Sequence, residues 1–118
     1  MHRGWHRRRL GVAAPSTDPY RQLADPVPSG RRWYVQRVGV IDETNAATYV
    51  RIVVMRGSEP FYLSEQKAPA ANTLYDDRDP LTLSEGEQIG AEWSGHTAAD
   101  ALKLYLSYRE ELVDEGGR

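Results

Sequence analysis

Three residues near the end of the chain have the side-chain types of a hydrolytic triad. Ser94, His96 and Asp100 lie within one short segment. In a triad the nucleophile and the orienting acid meet opposite nitrogens of the imidazole and generally come from separated elements of the fold. No nucleophile-elbow motif accompanies these residues. We therefore predict that 94–97 forms a turn between two strands and that the protein is not an enzyme.

Two acidic clusters could in principle supply metal ligands or an acid–base pair. Asp76, Asp77 and Asp79 lack the ligand spacing of a dedicated calcium loop. Glu85 and Glu87 flank a glycine in a predicted turn, and glycosidase chemistry would require two acids facing a cleft. The chain has no cysteine, which excludes thiolate zinc sites, disulfides and thiol nucleophiles. We predict solvated acidic loops, with neither a metal nor a cofactor.

The first nine residues combine cations with an aromatic ring. Such a segment could bind nucleic acid weakly, lie on an acidic neighbouring subunit, or remain a solvated tail. His2 and His6 could share a metal only if the segment were helical, and the flanking arginines favour a basic tail. We assign this segment and one downstream tyrosine to a subunit interface: Arg3, Trp5, Arg7, Arg8, Arg9 and Tyr20.

The charge of the chain is asymmetric. Residues 1–32 contain seven arginines and two aspartates, a balance of about +5, whereas the remainder holds eight basic and fifteen acidic residues, about −7. An acidic body would repel a phosphate backbone. We therefore expect any nucleic-acid contact to be confined to the N-terminal segment.

Three further aromatic residues are candidates for recognition. Trp33 and Trp93 fall at predicted strand positions, and Tyr62 lies on a predicted edge strand. Aromatic residues bury large areas and are enriched at interfaces, which favours core or interface roles over stacking on sugar rings. A sugar-binding role remains the alternative, and it requires these rings to be exposed.

The elements that would position these residues divide the chain into three parts. Residues 1–31 carry four prolines and no sustained periodicity, which predicts an extended arm without its own core. Residues 32–110 form the predicted body. Residues 111–118 form a predicted polar tail.

The body is rich in β-branched and aromatic residues, and predicted turns recur every eight to twelve residues. We predict an antiparallel hairpin from 33–41 and 48–55, then short strands at 61–65, 72–75, 81–83 and 88–93. Leu102, Leu104, Leu106 and Tyr108 alternate with polar residues, which favours a strand; Thr97 and Asp100 could instead cap a helix. The predicted fold is an all-β antiparallel sandwich or jelly roll.

No apolar stretch is long enough to span a bilayer, and the basic N-terminus is not followed by an adequate apolar region. A soluble protein without membrane contact is expected.

The body resembles small accessory virion proteins of tailed bacteriophages. The resemblance covers about residues 32–110 and is carried by the opening Trp33-Tyr34-Val35, by the 81–89 stretch Leu-x-Leu-Ser-x-Gly-Glu-x-Ile, and by the segment 93–102 that leads into the closing strand. It implies a β-sandwich subunit that decorates the capsid or belongs to the collar or tail.

This resemblance implies a non-enzymatic structural protein, made in the host cytoplasm and located in the virion. Its partners would be copies of itself and other virion proteins, joined by the sandwich and the arm, with weak nucleic-acid contact through the arm. The alternative classes are a carbohydrate-binding or adhesin-like module and a DNA-binding accessory protein.

Overall fold

The computed structural model describes residues 5–113, which form nine β-strands joined by loops and turns. The strands are β1 (Trp5–Ala13), β2 (Tyr20–Leu23), β3 (Arg31–Asp42), β4 (Tyr49–Arg56), β5 (Glu59–Lys67), β6 (Tyr75–Asp77), β7 (Leu81–Leu83), β8 (Gln88–Ser94) and β9 (Ala101–Leu112).

The strands form two antiparallel sheets. Sheet A has the order β1-β9-β3, and both β6 and β7 pair with the far side of β3. Sheet B has the order β2-β8-β4-β5. The inner faces of the two sheets share one hydrophobic core, so the predicted all-β sandwich is confirmed.

The core is built from the alternate side chains of the long strands. In β9, Leu102, Leu104, Leu106 and Tyr108 are all buried, so the strand prediction for this segment is confirmed. Thr97 N–H does donate to Asp100 Oδ2 at 3.0 Å, but this bond closes a turn before a strand and does not cap a helix.

The extended N-terminal arm is not confirmed for the residues that the structure describes. β1 pairs with β9 along its whole length, and β2 pairs with β8. Leu10 and Val12 pack against the core. The four prolines lie in the connections on either side of β2, where they remove no ladder hydrogen bond, so they are compatible with strands in this segment.

The N-terminal strands also change the predicted boundaries. The sandwich begins by Trp5 and not at residue 32, and β9 continues to Leu112, two residues beyond the predicted body. Residues 114–118 of the predicted tail lie outside the described residues.

The predicted hairpin of β3 and β4 is wrong, because the two strands belong to different sheets. Asp42 Oδ1 accepts bonds from the backbone N–H of Thr44 and Asn45, both at 3.0 Å, as the chain leaves sheet A. The tight hairpin is instead β4–β5, which turns at Gly57 with a φ of 62°. The strand expected at 72–75 is β6, three residues later.

One glycine sets how closely β2 approaches its neighbour. A Cβ at Gly90 would lie 2.2 Å from the carbonyl oxygen of Gln22. Glycine is therefore required where β2 joins sheet B.

Candidate functional site

The outer face of sheet A carries basic and aromatic side chains from three adjacent strands. We call this surface the basic face, and it comprises Trp5, Arg7 and Arg9 of β1, Tyr105 and Arg109 of β9, Tyr34 and Arg37 of β3, and Arg78 of the β6–β7 loop. The alternation of β1 places these residues outside, because Leu10 and Val12 on the opposite face pack against the core.

An open cleft of about 580 Å³ lies within the basic face. We call it the arginine cleft. Its lining includes Arg7, Arg8, Arg37, Arg78, Tyr105 and Ser107. The lining is thus contributed by three adjacent strands of sheet A and by the loop after β6, which are remote from one another in the chain.

One carboxylate contacts the arginines of the cleft. Arg37 Nε donates to Asp76 Oδ1 at 2.7 Å, and Arg78 Nε donates to Asp76 Oδ2 at 2.9 Å. Burial alone would raise the pKa of Asp76, but the two guanidinium groups outweigh it and lower that pKa below its usual value. Two guanidinium groups therefore share one negative charge.

Arg7 and Arg9 differ from these two arginines. Within residues 5–113, neither makes an ion pair with a carboxylate. Trp5, Arg109 and Tyr34 are cross-strand neighbours on the same face. The Arg109 guanidinium lies 4.7 Å from the ring centroid of Tyr34 and 6.0 Å from that of Trp5. Trp5 is 52% exposed. The basic face therefore has a local excess of positive charge interleaved with aromatic rings.

The remaining basic residues predicted for the arm point to the inner side of sheet A. The Arg8 guanidinium lies 5.9 Å from the ring centroids of both Trp33 and Tyr108, and it is 3.6 Å from Asp25. His6 lies on strand β1 and stacks on Tyr108 with ring centroids 5.1 Å apart. Arg3 and His2 lie outside the described residues.

The outer face of sheet B is organised around a buried acid. Glu92 of β8 is almost completely buried although it faces outward. Its carboxylate accepts hydrogen bonds from the Tyr49 hydroxyl at 2.9 Å, the Tyr62 hydroxyl at 3.0 Å and Arg21 Nη2 at 3.0 Å, and Arg51 Nη1 lies 3.5 Å away. This acid therefore holds together four strands by side-chain contacts.

The edge of sheet B exposes apolar residues. Strand β5 has no neighbour on its outer side among the described strands, and Phe61, Tyr62 and Leu63 are 41%, 47% and 45% exposed. Leu63 and Leu81 line two cavities of about 170 and 190 Å³ between β5 and the β6–β7 side of sheet A. We call this region the β5 edge.

The predicted recognition aromatics separate into two groups. Trp33 and Trp93 are buried core residues, and Trp33 stacks on Tyr108 at 4.1 Å. Tyr20 stacks on Trp93 at 6.3 Å, inside the same chain. Tyr62 is therefore the sole exposed ring among Trp33, Tyr62 and Trp93, which weakens the sugar-platform alternative.

The three triad residues are not brought together as a relay. Ser94 Oγ donates to Asp18 Oδ1 at 2.8 Å, whereas His96 Nε2 lies 3.1 Å from the carbonyl oxygen of Pro15. Asp100 accepts from Thr97 N–H. Each side chain thus secures a different part of the loops around β1, β2 and β9.

A buried pair of carboxyl groups lies behind these loops. Burial, together with the hydrogen bond to Asp100, raises the pKa of Asp42. Burial would also raise the pKa of Asp100, but hydrogen bonds from Asp42, Thr97 and Asn45 lower it below the usual value. Asn45 Nδ2 donates to Asp100 Oδ1 at 2.7 Å, and this bond ties the β3–β4 connection to the start of β9.

Across residues 5–113, no group of three or more histidine, aspartate or glutamate side chains is placed to hold a metal ion. The same part of the chain contains no helix with the length and apolar character needed to cross a bilayer.

Asp76 and Asp77 belong to β6 and not to a loop, since they pair with Gly39 and Val38.

The basic face is a site that sequence reasoning missed. The arginines of the arm were identified, but Arg37, Arg78 and Arg109 lie 30 to 100 residues further along the chain. The alternation of Arg7 and Arg9 with Leu10 and Val12 was a usable signal, because a period of two indicates a strand with one basic face.

No protein-family model and no curated protein matches this chain.

Proposed function

We propose that the protein is a non-enzymatic structural subunit of a tailed-phage virion and that it assembles with copies of itself through the β5 edge. The single observation that carries the assembly role is the exposed run Phe61-Tyr62-Leu63 on an unpaired edge strand. Folded proteins generally protect such edges, since they can pair with another chain. The virion assignment rests on the resemblance of residues 32–110.

A second copy is the occupant that the β5 edge fits best. The strand begins with Glu59 and ends with Lys67, so antiparallel approach of two β5 strands brings opposite charges together at both ends. Such a contact is isologous and closes as a two-fold dimer. The twofold axis would lie near Leu63, at the middle of the strand.

The cavities beside Leu63 supply places for partner side chains. They measure about 170 and 190 Å³, and Leu63 and Leu81 line both of them beside charged side chains such as Asp79 and Glu87. In the dimer, Phe61 of each copy packs against Leu63 of the other. A ladder of backbone bonds is not required, which is relevant because the β4–β5 register shifts near Leu63.

The test is the mass of the purified protein in solution as a function of concentration. Wild type is expected to dimerise, and Leu63→Lys is expected to be monomeric because it places a charge at the centre of the contact. Leu112→Lys is the matched control, since Leu112 is 49% exposed but lies on β9. A wild-type protein that stays monomeric at all concentrations would refute assembly through this edge.

A charge exchange sharpens the same test. Glu59→Lys alone should weaken the dimer, because two lysines would then face each other, whereas adding Lys67→Glu should restore it. Failure of the double variant to recover would argue against antiparallel β5 pairing.

The virion assignment needs a separate measurement. Mass spectrometry of purified phage particles should find the protein at a fixed copy number that matches a symmetric position. Its absence from particles would remove the virion role and leave the dimer test unaffected.

A further inference from the structure

We infer that the basic face binds the phosphate backbone of a single-stranded nucleic acid, with the strand lying across the arginine cleft. This goes beyond the β5 contact, because the basic face belongs to the other sheet. It also differs from binding by a flexible arm: the arginines of β1 act together with residues of β3, β9 and the β6–β7 loop.

The basic face carries positive charge that its one carboxylate does not balance. Within the described residues, Arg7 and Arg9 make no ion pair, and Arg37 and Arg78 share the single carboxylate of Asp76. Four guanidinium groups thus face one carboxylate. Such a concentration of like charge is unfavourable in the free protein and becomes favourable when an anion occupies the face.

The cations of the basic face are of the type that suits phosphate. All four are arginines, as are thirteen of the fifteen basic residues of the chain. The planar guanidinium matches phosphate oxygens in a bidentate geometry, which an ammonium cannot do. Arg7 and Arg9 point to the same side of β1 and are roughly 7 Å apart, so they can contact successive phosphates.

Aromatic rings on the basic face distinguish a nucleic-acid strand from an acidic peptide as the ligand. Tyr105 lies in the cleft itself, and the exposed ring of Trp5 lies one row away. Single-strand binding proteins combine a positive groove with aromatic rings on which bases stack. An acidic peptide would use the arginines but has no need of the rings.

The net charge of −2 does not oppose this binding, because Asp76 is shared by two arginines and other acids on the outer face of sheet A lie towards its two ends. Glu43 pairs with Lys103 at 2.8 Å near one end, and Glu111 accepts from the Tyr34 hydroxyl at 3.1 Å towards the other. The acidic residues of the body are therefore unevenly distributed, and the basic face carries fewer of them than the net charge of the chain suggests.

The experiment measures fluorescence anisotropy of a labelled oligodeoxythymidylate titrated with the full chain. Wild type should bind with an affinity that falls as salt rises, with a log–log slope of about −2 to −3 for three to four phosphate contacts. The double variant Arg7→Glu/Arg9→Glu should weaken binding at least tenfold. Arg56→Glu, on sheet B, has the same charge change per residue and should have little effect.

Asp76→Asn provides a change in the opposite direction. Removing this carboxylate frees Arg37 and Arg78, so the affinity for the oligonucleotide should rise severalfold. A variant that merely damaged the fold could not produce tighter binding, and thermal melting of each variant confirms that it is folded.

Competition identifies the ligand class. Duplex DNA and polyglutamate should both displace the labelled strand less effectively than unlabelled oligodeoxythymidylate. Polyglutamate that competes equally well would overturn the proposal in favour of an acidic protein partner. Equal competition by duplex, or an affinity insensitive to Arg7 and Arg9, would also overturn it.

Discussion

The outer faces of the two sheets both carry arginines, but they use them differently. On sheet B, cross-strand register places Arg21, Glu92, Arg51 and Glu65 in one row across all four strands, so that the charges alternate. On sheet A, the row that contains Arg7 continues to Ser107 and Arg37, and the row that contains Arg9 continues to Tyr105 and Gly39. The first of these rows contains no acid, and the second reaches one acid, Asp76, which pairs with Gly39.

The difference shows that strand register decides which charged side chains are paired within the protein and which are free to bind a ligand. Directly opposed side chains interact across a sheet, and opposite charges stabilise the pair while like charges destabilise it. Sheet B satisfies its arginines internally and covers Glu92 almost completely. Sheet A leaves positive charge accessible, and a surface of that kind is suited to binding an anion.

The largest loss of stability is expected from removing Glu92, the acid at the centre of the charged row on sheet B. Glu92→Ala leaves Arg21 and Arg51 without their shared partner and two tyrosine hydroxyls without an acceptor. Removing one member of a buried charged cluster typically costs about 3–5 kcal/mol. We expect a loss of this size in the free energy of unfolding, measured by urea denaturation.

Glu65→Ala is the control for that loss. Glu65 pairs with Arg51 at the exposed end of the same row. Exposed pairs contribute about 0–1 kcal/mol, so this variant should be much less destabilised. Similar losses for the two variants would show that burial of Glu92 does not distinguish the centre of the row from its end.

An intermediate effect is expected from Asp76, the acid of the basic face. Its pKa is lowered in the folded protein, so the unfolded chain binds a proton more readily as the pH falls. The stabilisation from Asp76 is fully present above the ordinary pKa of an aspartate and is lost as the pH falls through the lowered value. Urea denaturation between about pH 5 and pH 2 should therefore be less pH-dependent in Asp76→Asn than in wild type. An unchanged pH dependence would contradict the ion-pair assignment.

The smallest effect is expected from the unpaired arginines of sheet A. Arg7→Ala and Arg9→Ala remove exposed side chains that have no ion pair within residues 5–113. Surface changes of this kind usually alter stability by less than about 0.5 kcal/mol. Thermal melting should therefore show almost no shift in either variant. A clear destabilisation would mean that these arginines support the fold, as those of sheet B do.

Local pattern was sufficient to predict most of the strands. The alternation of Leu102, Leu104, Leu106 and Tyr108 predicted β9, and β-branched runs predicted β3 and β4, because strand periodicity is a property of neighbouring residues. The N-terminal segment misled the same reasoning. Its prolines and arginines suggested an arm, although the apolar positions Leu10 and Val12 fit an edge strand.

The order of residues was enough to predict an all-β fold, to exclude cysteine chemistry and to identify a basic N-terminal segment. The folded chain was needed to place β3 and β4 in different sheets, to bury Trp33 and Trp93, and to bring Arg7 and Arg37 to one cleft. Alternation is set by adjacent residues, whereas strand pairing is set by contacts between residues far apart in the chain. Which charges meet a partner therefore depends on the register of the folded sheets.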